Sequence, residues 1–142
     1  MQALFTQYAK INAIIFNKGT KMTEHQEQVA VIQWFRLQYK KYSGYLFAIP
    51  NGAHLAGDSR MRAIKMNNMK AEGFTNGVSD LFLMIPTFHH HGLFIEMKAR
   101  GGKVSDSQKE FMSNASEMNY ATVVCYGFEE AKKEINNYLH DF

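Results

Sequence analysis

Two carboxylates and one lysine stand at the ends of two short apolar runs and are the residues best suited to chemistry. The first run, 81–85, follows Asp80, and the second run, 93–98, ends with Glu96 and Lys98. Residues two apart on a β-strand share a face, so Glu96 and Lys98 point the same way. These runs therefore predict charged side chains gathered at one end of two apolar strands.

If the two runs form an antiparallel hairpin, Asp80 lies opposite Met97 or Lys98, with a one-residue uncertainty in register. Two carboxylates and an ammonium group then meet at one end of the hairpin. Hard oxygen ligands beside a lysine suit a divalent cation that activates water. This is the chemistry of a nuclease.

The alternative interpretation is an ordinary surface ion pair. Glu-x-Lys pairs are common on solvent-facing strands, where they contribute little to stability. Here both runs are almost continuously apolar, which favours strands covered on both faces. Charges buried in such a sheet need a compensating partner, and a bound metal supplies one.

The remaining elements follow from helix caps and hydrophobic spacing. Thr23 with Gln26 and Ser105 with Gln108 have the form of capping boxes, and Asp58 or Ser59 can cap a further helix. We therefore expect helices over 23–39, 58–72, 105–118 and 128–139, and strands over 45–49, 79–85, 93–98 and 121–126, the last a buried strand. The order α-β-α-β-β-α-β-α predicts an α/β fold, one mixed sheet with helices on both faces.

Composition limits the class of protein. The chain has 142 residues, 46% of them hydrophobic, which is enough for one compact domain. The net charge of +3 is compatible with nucleic-acid binding but does not establish it. The single cysteine, Cys125, cannot form an internal disulfide, and no stretch is long and apolar enough for a membrane helix, so we expect a cytoplasmic protein with no membrane partner.

The first 21 residues stand apart from this pattern. Apolar residues recur there at helical spacing, but no cleavage site of a signal peptide follows them. We expect residues 1–21 to be an N-terminal extension, a swapped arm or the product of an upstream start, and residues 22–142 to form the domain.

The residues in this order resemble the VRR-NUC family of the PD-(D/E)XK nuclease superfamily, particularly its small standalone phage and bacterial members. The resemblance covers about residues 22–139 and predicts a restriction-endonuclease-like sheet. One departure is Ser79, where many family members have proline. The matching segments are Glu24-His25 with Gln28, Pro50-Asn51-Gly52, Lys70-Ala-Glu-Gly73, Gly77-Val-Ser-Asp80, Glu96-Met-Lys98 and Ser105-Asp-Ser-Gln108.

The resemblance implies a metal site. Asp80 and Glu96 would bind Mg²⁺ or Mn²⁺, and the backbone carbonyl of Met97 would be a further ligand. Lys98 would orient or help to deprotonate the attacking water and would stabilise negative charge in the transition state.

Two further side chains complete the implied catalytic set. Glu24 would act as an additional acid, bound through water or a second ion; Glu27 is its rival on a neighbouring helix face, and Glu24 is preferred. Gln108 would hydrogen-bond near the catalytic lysine or a phosphate, or would simply cap its own helix. Both interpretations of Gln108 stay open.

Basic and polar residues suggest where DNA would bind. Four cations crowd one predicted helix; beside a nuclease site we interpret them as contacts to phosphates rather than as a solvated face. The tract His89-His90-His91 lacks a partner at ligand spacing, which argues against zinc. The predicted nucleic-acid-binding residues are Arg60, Arg62, Lys65, Lys70, Asn51 and Lys103.

The resemblance implies a metal-dependent DNA endonuclease selective for branched DNA, with four-way junctions as the first candidate. Cutting a junction symmetrically needs two sites, which a twofold homodimer provides. The alternatives are a catalytically silent DNA-binding or assembly module, a flap nuclease, and a sequence-specific restriction enzyme, for which 142 residues leave little room.

Overall fold

A computed structural model describes residues 22–50, 58–140 and 142 of the chain. Predictions for residues 1–21, and for Asn51 and its neighbours in the turn, lie outside the described residues. The described elements are α1 (Glu24–Gln38), a 3₁₀ turn (Lys40–Tyr42), β1 (Leu46–Ala48), α2 (Ser59–Ala71), β2 (Leu81–Leu83), β3 (Leu93–Met97), α3 (Asp106–Glu117), β4 (Ala121–Cys125) and α4 (Phe128–His140).

The four described strands form one mixed sheet in the order β1-β2-β3-β4. β1 pairs antiparallel with β2, β2 pairs antiparallel with β3, and β3 runs parallel to β4. The helix α3 provides the crossover that a parallel pair requires. The predicted α/β class, mixed sheet and order of elements are confirmed.

The two faces of the sheet are covered by different helices. Alternate residues of β3, namely Leu93, Ile95 and Met97, are buried in the main core together with residues of α1 and α4. The other face carries Phe94, whose ring lies 5.0 Å from that of Phe111 on α3. Because side chains alternate along an extended chain, Glu96 and Lys98, on either side of Met97, lie on the α3 face of the sheet.

Polar side chains fix the beginnings of the helices as predicted. Thr23 and Ser105 both form complete capping boxes, the first with Gln26 and the second with Gln108. Asp58, rather than Ser59, caps α2 by accepting a hydrogen bond from a backbone N–H of the first turn. None of the described helices combines the length and the apolar character required to span a lipid bilayer.

Two features of the strands were predicted wrongly, the lengths of β1 and β2 and the burial of β4, whereas the register of Asp80 agrees with its prediction. The strands β1 and β2 are only three residues long, so both are shorter than the runs 45–49 and 79–85. β4 is half-buried except at Cys125, because it is the edge strand of the sheet and not an inner one. The pairing of Leu81 with Ile95 puts Asp80 level with Glu96, one residue before the predicted Met97 and within the stated uncertainty.

Candidate active site

A cavity of about 700 Å³ opens at the edge of the sheet where β2 begins and β3 ends. The N-terminus of α1, the loop before β2, the end of β3 and the first turn of α3 all contribute to its wall. All five residues predicted to be catalytic line this cavity, and they come from four different parts of the fold. The lining residues include Glu24, His25, Gln28, Ile49, Pro50, Met66, Phe74, Asn76, Gly77, Val78, Asp80, Glu96, Lys98, Ser105, Ser107 and Gln108.

Asp80 is held by the backbone of the neighbouring strand. Its Oδ2 accepts a hydrogen bond of 2.9 Å from the backbone N–H of Met97. The residue lies just before β2 and is half-buried. This contact orients the carboxylate along the end of β3, beside the side chain of Glu96.

Glu96 is fully buried and has an asymmetric set of partners. Its Oε1 accepts hydrogen bonds from Lys98 Nζ, at 2.6 Å, and from Gln108 Nε2. Its Oε2 is buried and has no hydrogen-bond partner within the described part of the chain. An unpaired buried carboxylate oxygen is costly, and a cation or a proton would compensate for it.

The electrostatics of the pair reflect this burial. Burial raises the pKa of Glu96 to about 7, with further contributions from the carboxylates of Asp80 and Glu24, against the opposing effect of Lys98. Burial by itself would lower the pKa of Lys98, but the hydrogen bond and charge of Glu96, followed by the charges of Glu24 and Asp80, outweigh it and raise that pKa. Lys98 is therefore a permanent cation in a cluster of carboxyl groups.

The structure separates the two rival acids of α1. Glu24 lines the cavity, and its Oε2 accepts a hydrogen bond of 3.0 Å from the backbone N–H of Ala99, just after β3. Glu27 Oε2 instead accepts a hydrogen bond of 2.7 Å from the backbone N–H of Phe128, at the beginning of α4. Glu24 is thus placed beside the site, whereas Glu27 stabilises a helix N-terminus.

Gln108 caps its own helix and also contacts the buried carboxylate of the site. Its Oε1 accepts a hydrogen bond of 2.9 Å from the backbone N–H of Ser105, which completes the capping box. Its Nε2 simultaneously donates to Glu96, not to the lysine. The side-chain amide therefore links the beginning of α3 to the buried carboxylate.

Those predicted DNA-binding residues that the structure describes lie outside this cluster. The helix α2 has no buried residue, and its cations Arg60, Arg62, Lys65 and Lys70 are exposed. Lys103 is also exposed, on the loop before α3. Met66 lines the cavity, which places the basic helix at its rim.

Sequence reasoning assigned no role to several residues that line the cavity. Gln28 stands one helical turn after Glu24, so the i, i+4 spacing could have placed it on the same face. Asn76 enters from the loop before β2 and Ser107 from the first turn of α3, and no local pattern of residues indicates that the two meet at the site.

The residues present fit a divalent cation of the Mg²⁺ type. Among residues 22–50, 58–140 and 142, no group of three or more His, Cys, Asp or Glu side chains is arranged to enclose a metal ion. Mg²⁺ commonly takes only one or two protein carboxylates and keeps water or phosphate oxygens for the rest. The unpartnered Oε2 of Glu96, next to Asp80, offers such an open arrangement.

Comparison with known proteins identifies the class. The chain matches the VRR-NUC domain over residues 22–129. A solved structure titled "VRR_NUC domain protein" superposes with a TM-score of 0.70 at 25% sequence identity, covering 87% of this chain and 93% of that one. A search of curated proteins gave no significant match.

The fold and the site together define a nuclease-type α/β domain. The chain belongs to the VRR-NUC family. Membership confirms the resemblance seen in the sequence and gives the chain a nuclease-type function in DNA processing, with DNA as its partner. Nucleases of this kind generally depend on a divalent metal.

Proposed function

We propose that this protein is an Mg²⁺- or Mn²⁺-dependent endonuclease that hydrolyses DNA phosphodiester bonds and selects branched DNA. The observation that carries the proposal is the meeting of Asp80, Glu96 and Lys98 in one open cavity, with the buried Glu96 Oε2 left without a partner. Asp80, Glu96 and the carbonyl of Met97 would hold the metal. The bound cation would polarise the phosphate and promote ionisation of water.

The chain's own side chains would divide the remaining tasks. Lys98, fixed by Glu96 at 2.6 Å, places a permanent positive charge where negative charge develops on the phosphate. Gln108 would keep the Glu96 carboxylate in one orientation, which leaves Oε2 available to the cation. Glu24 provides a further carboxylate that can hold a water molecule or a second ion at the rim formed by α1.

Association with DNA would depend on the basic helix α2. Its cations are exposed at the rim of the cavity and can approach the phosphates of a duplex arm. Contacts of this kind position DNA without reading its sequence.

For a four-way junction, we further propose a twofold homodimer. Each domain offers one cavity with the Asp80, Glu96 and Lys98 cluster, and paired incisions need two such cavities in a fixed relation. Support comes from the apolar residues that recur at helical spacing in the sequence of the segment 1–21 and are suited to an interface.

A comparison of substrates tests this function. Linear duplex, flap, splayed-arm and four-way DNA of matched sequence would be incubated with the protein in Mg²⁺, in Mn²⁺ and in excess EDTA, with Lys98→Ala as control. We expect metal-dependent paired incisions near the junction centre by the wild type alone. Preferred cleavage of flaps would instead favour a flap nuclease, and failure to cleave any DNA with either metal would favour a DNA-binding module.

Sedimentation velocity at micromolar concentration tests the dimer separately. A protein that cuts both strands of a junction in paired fashion as a monomer would refute the homodimer and leave the nuclease activity standing.

A further inference from the structure

The loop before β2 approaches the first turn of α3 closely at Gly77. Gly77 has a φ of +81°, and a Cβ atom at this position would lie inside the van der Waals radii of the Ser107 carbonyl group and 2.7 Å from the backbone nitrogen of Gln108. Atoms of a backbone cannot move aside as the tip of a side chain can. Gly77 therefore sets how closely the loop and the helix approach.

This contact involves the backbone of the residue whose side chain binds Glu96. Gln108 belongs to the first turn of α3, and its Nε2 donates to the buried Glu96. The capping box with Ser105 makes that turn stiff, since the backbone and side chain of Gln108 are both tied to it. A displacement of the turn would therefore move the amide of Gln108 with it.

We propose that Gly77 is a positioning residue, which acts through Gln108 by letting the first turn of α3 approach the end of β3. Its effect on catalysis rests on the proposed function, whereas its effect on the Gln108 amide does not. A side chain at position 77 pushes this turn outwards and withdraws the amide from Glu96. The carboxylate then loses its fixed orientation, and the site loses the geometry that the chemistry requires.

The chain contains a matched control for the backbone strain of such a variant. Gly73 also has a left-handed conformation, with a φ of +96°, but a Cβ there would meet no atom within 4 Å. Gly73→Ala thus introduces the strain of a positive φ without the clash. Any difference between Gly77→Ala and Gly73→Ala reports the contact with α3.

The experiment combines a spectroscopic and a kinetic measurement. In metal-free protein, the side-chain amide signals of Gln108 would be followed by two-dimensional ¹H–¹⁵N NMR in the wild type and both glycine variants. Single-turnover cleavage of the best substrate in Mg²⁺ would be measured on the same proteins. We expect Gly77→Ala to shift the Gln108 amide signals and to slow cleavage about 10- to 100-fold, and Gly73→Ala to do neither.

A double-mutant cycle tests the route of the effect. If Gly77 acts through Gln108, adding Gly77→Ala to Gln108→Ala changes the cleavage rate by less than about threefold. If Gly77→Ala slows cleavage in the Gln108→Ala protein as much as it does in the wild type, the proposal is refuted. Equal behaviour of Gly77→Ala and Gly73→Ala in both measurements would overturn it as well.

Two further measurements test the contact between Gly77 and α3 independently of the cleavage rates. If Gly77→Ala does not fold, the wild type still has to show a nuclear Overhauser effect between a Gly77 Hα and the backbone amide proton of Gln108; its absence refutes the contact. A wild type that cleaves no DNA, with Gln108 signals that respond to Gly77→Ala, would refute the proposed nuclease function and support the positioning contact.

Discussion

Lys98 Nζ lies 2.6 Å from Glu96 Oε1, while the other oxygen of the same buried carboxylate has no partner within the described part of the chain. The lysine therefore neutralises the charge without filling the coordination space of the carboxylate. Replacing one partner of a buried ion pair usually lowers the free energy of unfolding by more than the intact pair contributes to it, because the other charge is left buried and uncompensated. This asymmetry distinguishes the pair of Glu96 and Lys98 from an ordinary surface ion pair.

Glu96 should make the metal-free protein less stable as the pH rises. Its pKa is about 7 in the folded state against an ordinary value of 4.5, so between these values the folded state binds more protons than the unfolded state. The free energy of unfolding then falls across pH 4.5 to 7, by roughly 3 kcal/mol at 1.36 kcal/mol per pH unit. Urea unfolding in EDTA at pH 5 and pH 8 should show a smaller fall for Glu96→Gln than for the wild type. Identical falls would mean that Glu96 is not buried as described.

Asp80→Asn should remove most metal-dependent cleavage and leave the fold intact. The amide oxygen of asparagine can still accept the hydrogen bond from the Met97 N–H, but it no longer provides a charged ligand. Calorimetric titration with Mn²⁺ and thermal unfolding would be compared with the wild type. Wild-type affinity for Mn²⁺ in the variant, or full wild-type cleavage in excess EDTA, would refute the metal site.

Lys98→Ala should slow the chemical step by about two to four orders of magnitude, as expected for loss of an acid–base or charge-stabilising group. DNA binding should weaken far less, because this lysine is nearly buried and the exposed cations stay in place. Single-turnover rates and binding isotherms separate the two effects. Lys109→Ala is a suitable control, since Lys109 forms an exposed pair with Asp106 that contributes little. Equal rates for the two variants would return Lys98 to the role of a simple ion pair.

Glu24→Gln should mainly lower activity, whereas Glu27→Gln should mainly lower stability. Glu24→Gln keeps an acceptor for the Ala99 N–H but removes a charge beside the cavity, so we expect lower activity at nearly unchanged stability. Glu27→Gln weakens the anionic contact to the N-terminus of α4, so we expect a loss of about 1 kcal/mol in the free energy of unfolding with activity per folded molecule retained. Chemical denaturation and single-turnover cleavage on both variants check this; a reversed pattern would make Glu27 the functional acid.

Ser79→Ala should stabilise the protein. Ser79 is fully buried, and its hydroxyl oxygen has no hydrogen-bond partner within the described residues. Removing an unsatisfied buried hydroxyl should raise the free energy of unfolding by about 1 kcal/mol. Urea denaturation measures the change, and a less stable variant would show that the hydroxyl has a partner after all.

The local features of the fold could be predicted because short-range contacts produce them. The capping boxes at Thr23 and Ser105 each join residues three apart, and the same-face relation of Glu96 and Lys98 follows from the pleat of one strand. The hairpin placed Asp80 close to them to within one residue. These predictions required no knowledge of how the helices pack.

The sequence by itself thus determined the order of elements, the family and the cluster of Asp80, Glu96 and Lys98. Only the tertiary structure separated Glu24 from Glu27, because both stand in the first turn of α1 and the packing of that helix decides which one meets the N–H of Ala99. The link from Gln108 to Glu96 and the approach of Gly77 to α3 likewise depend on segments that are distant in sequence. Contacts of this kind arise from the packing of whole elements against each other, and no local pattern of residues encodes that packing.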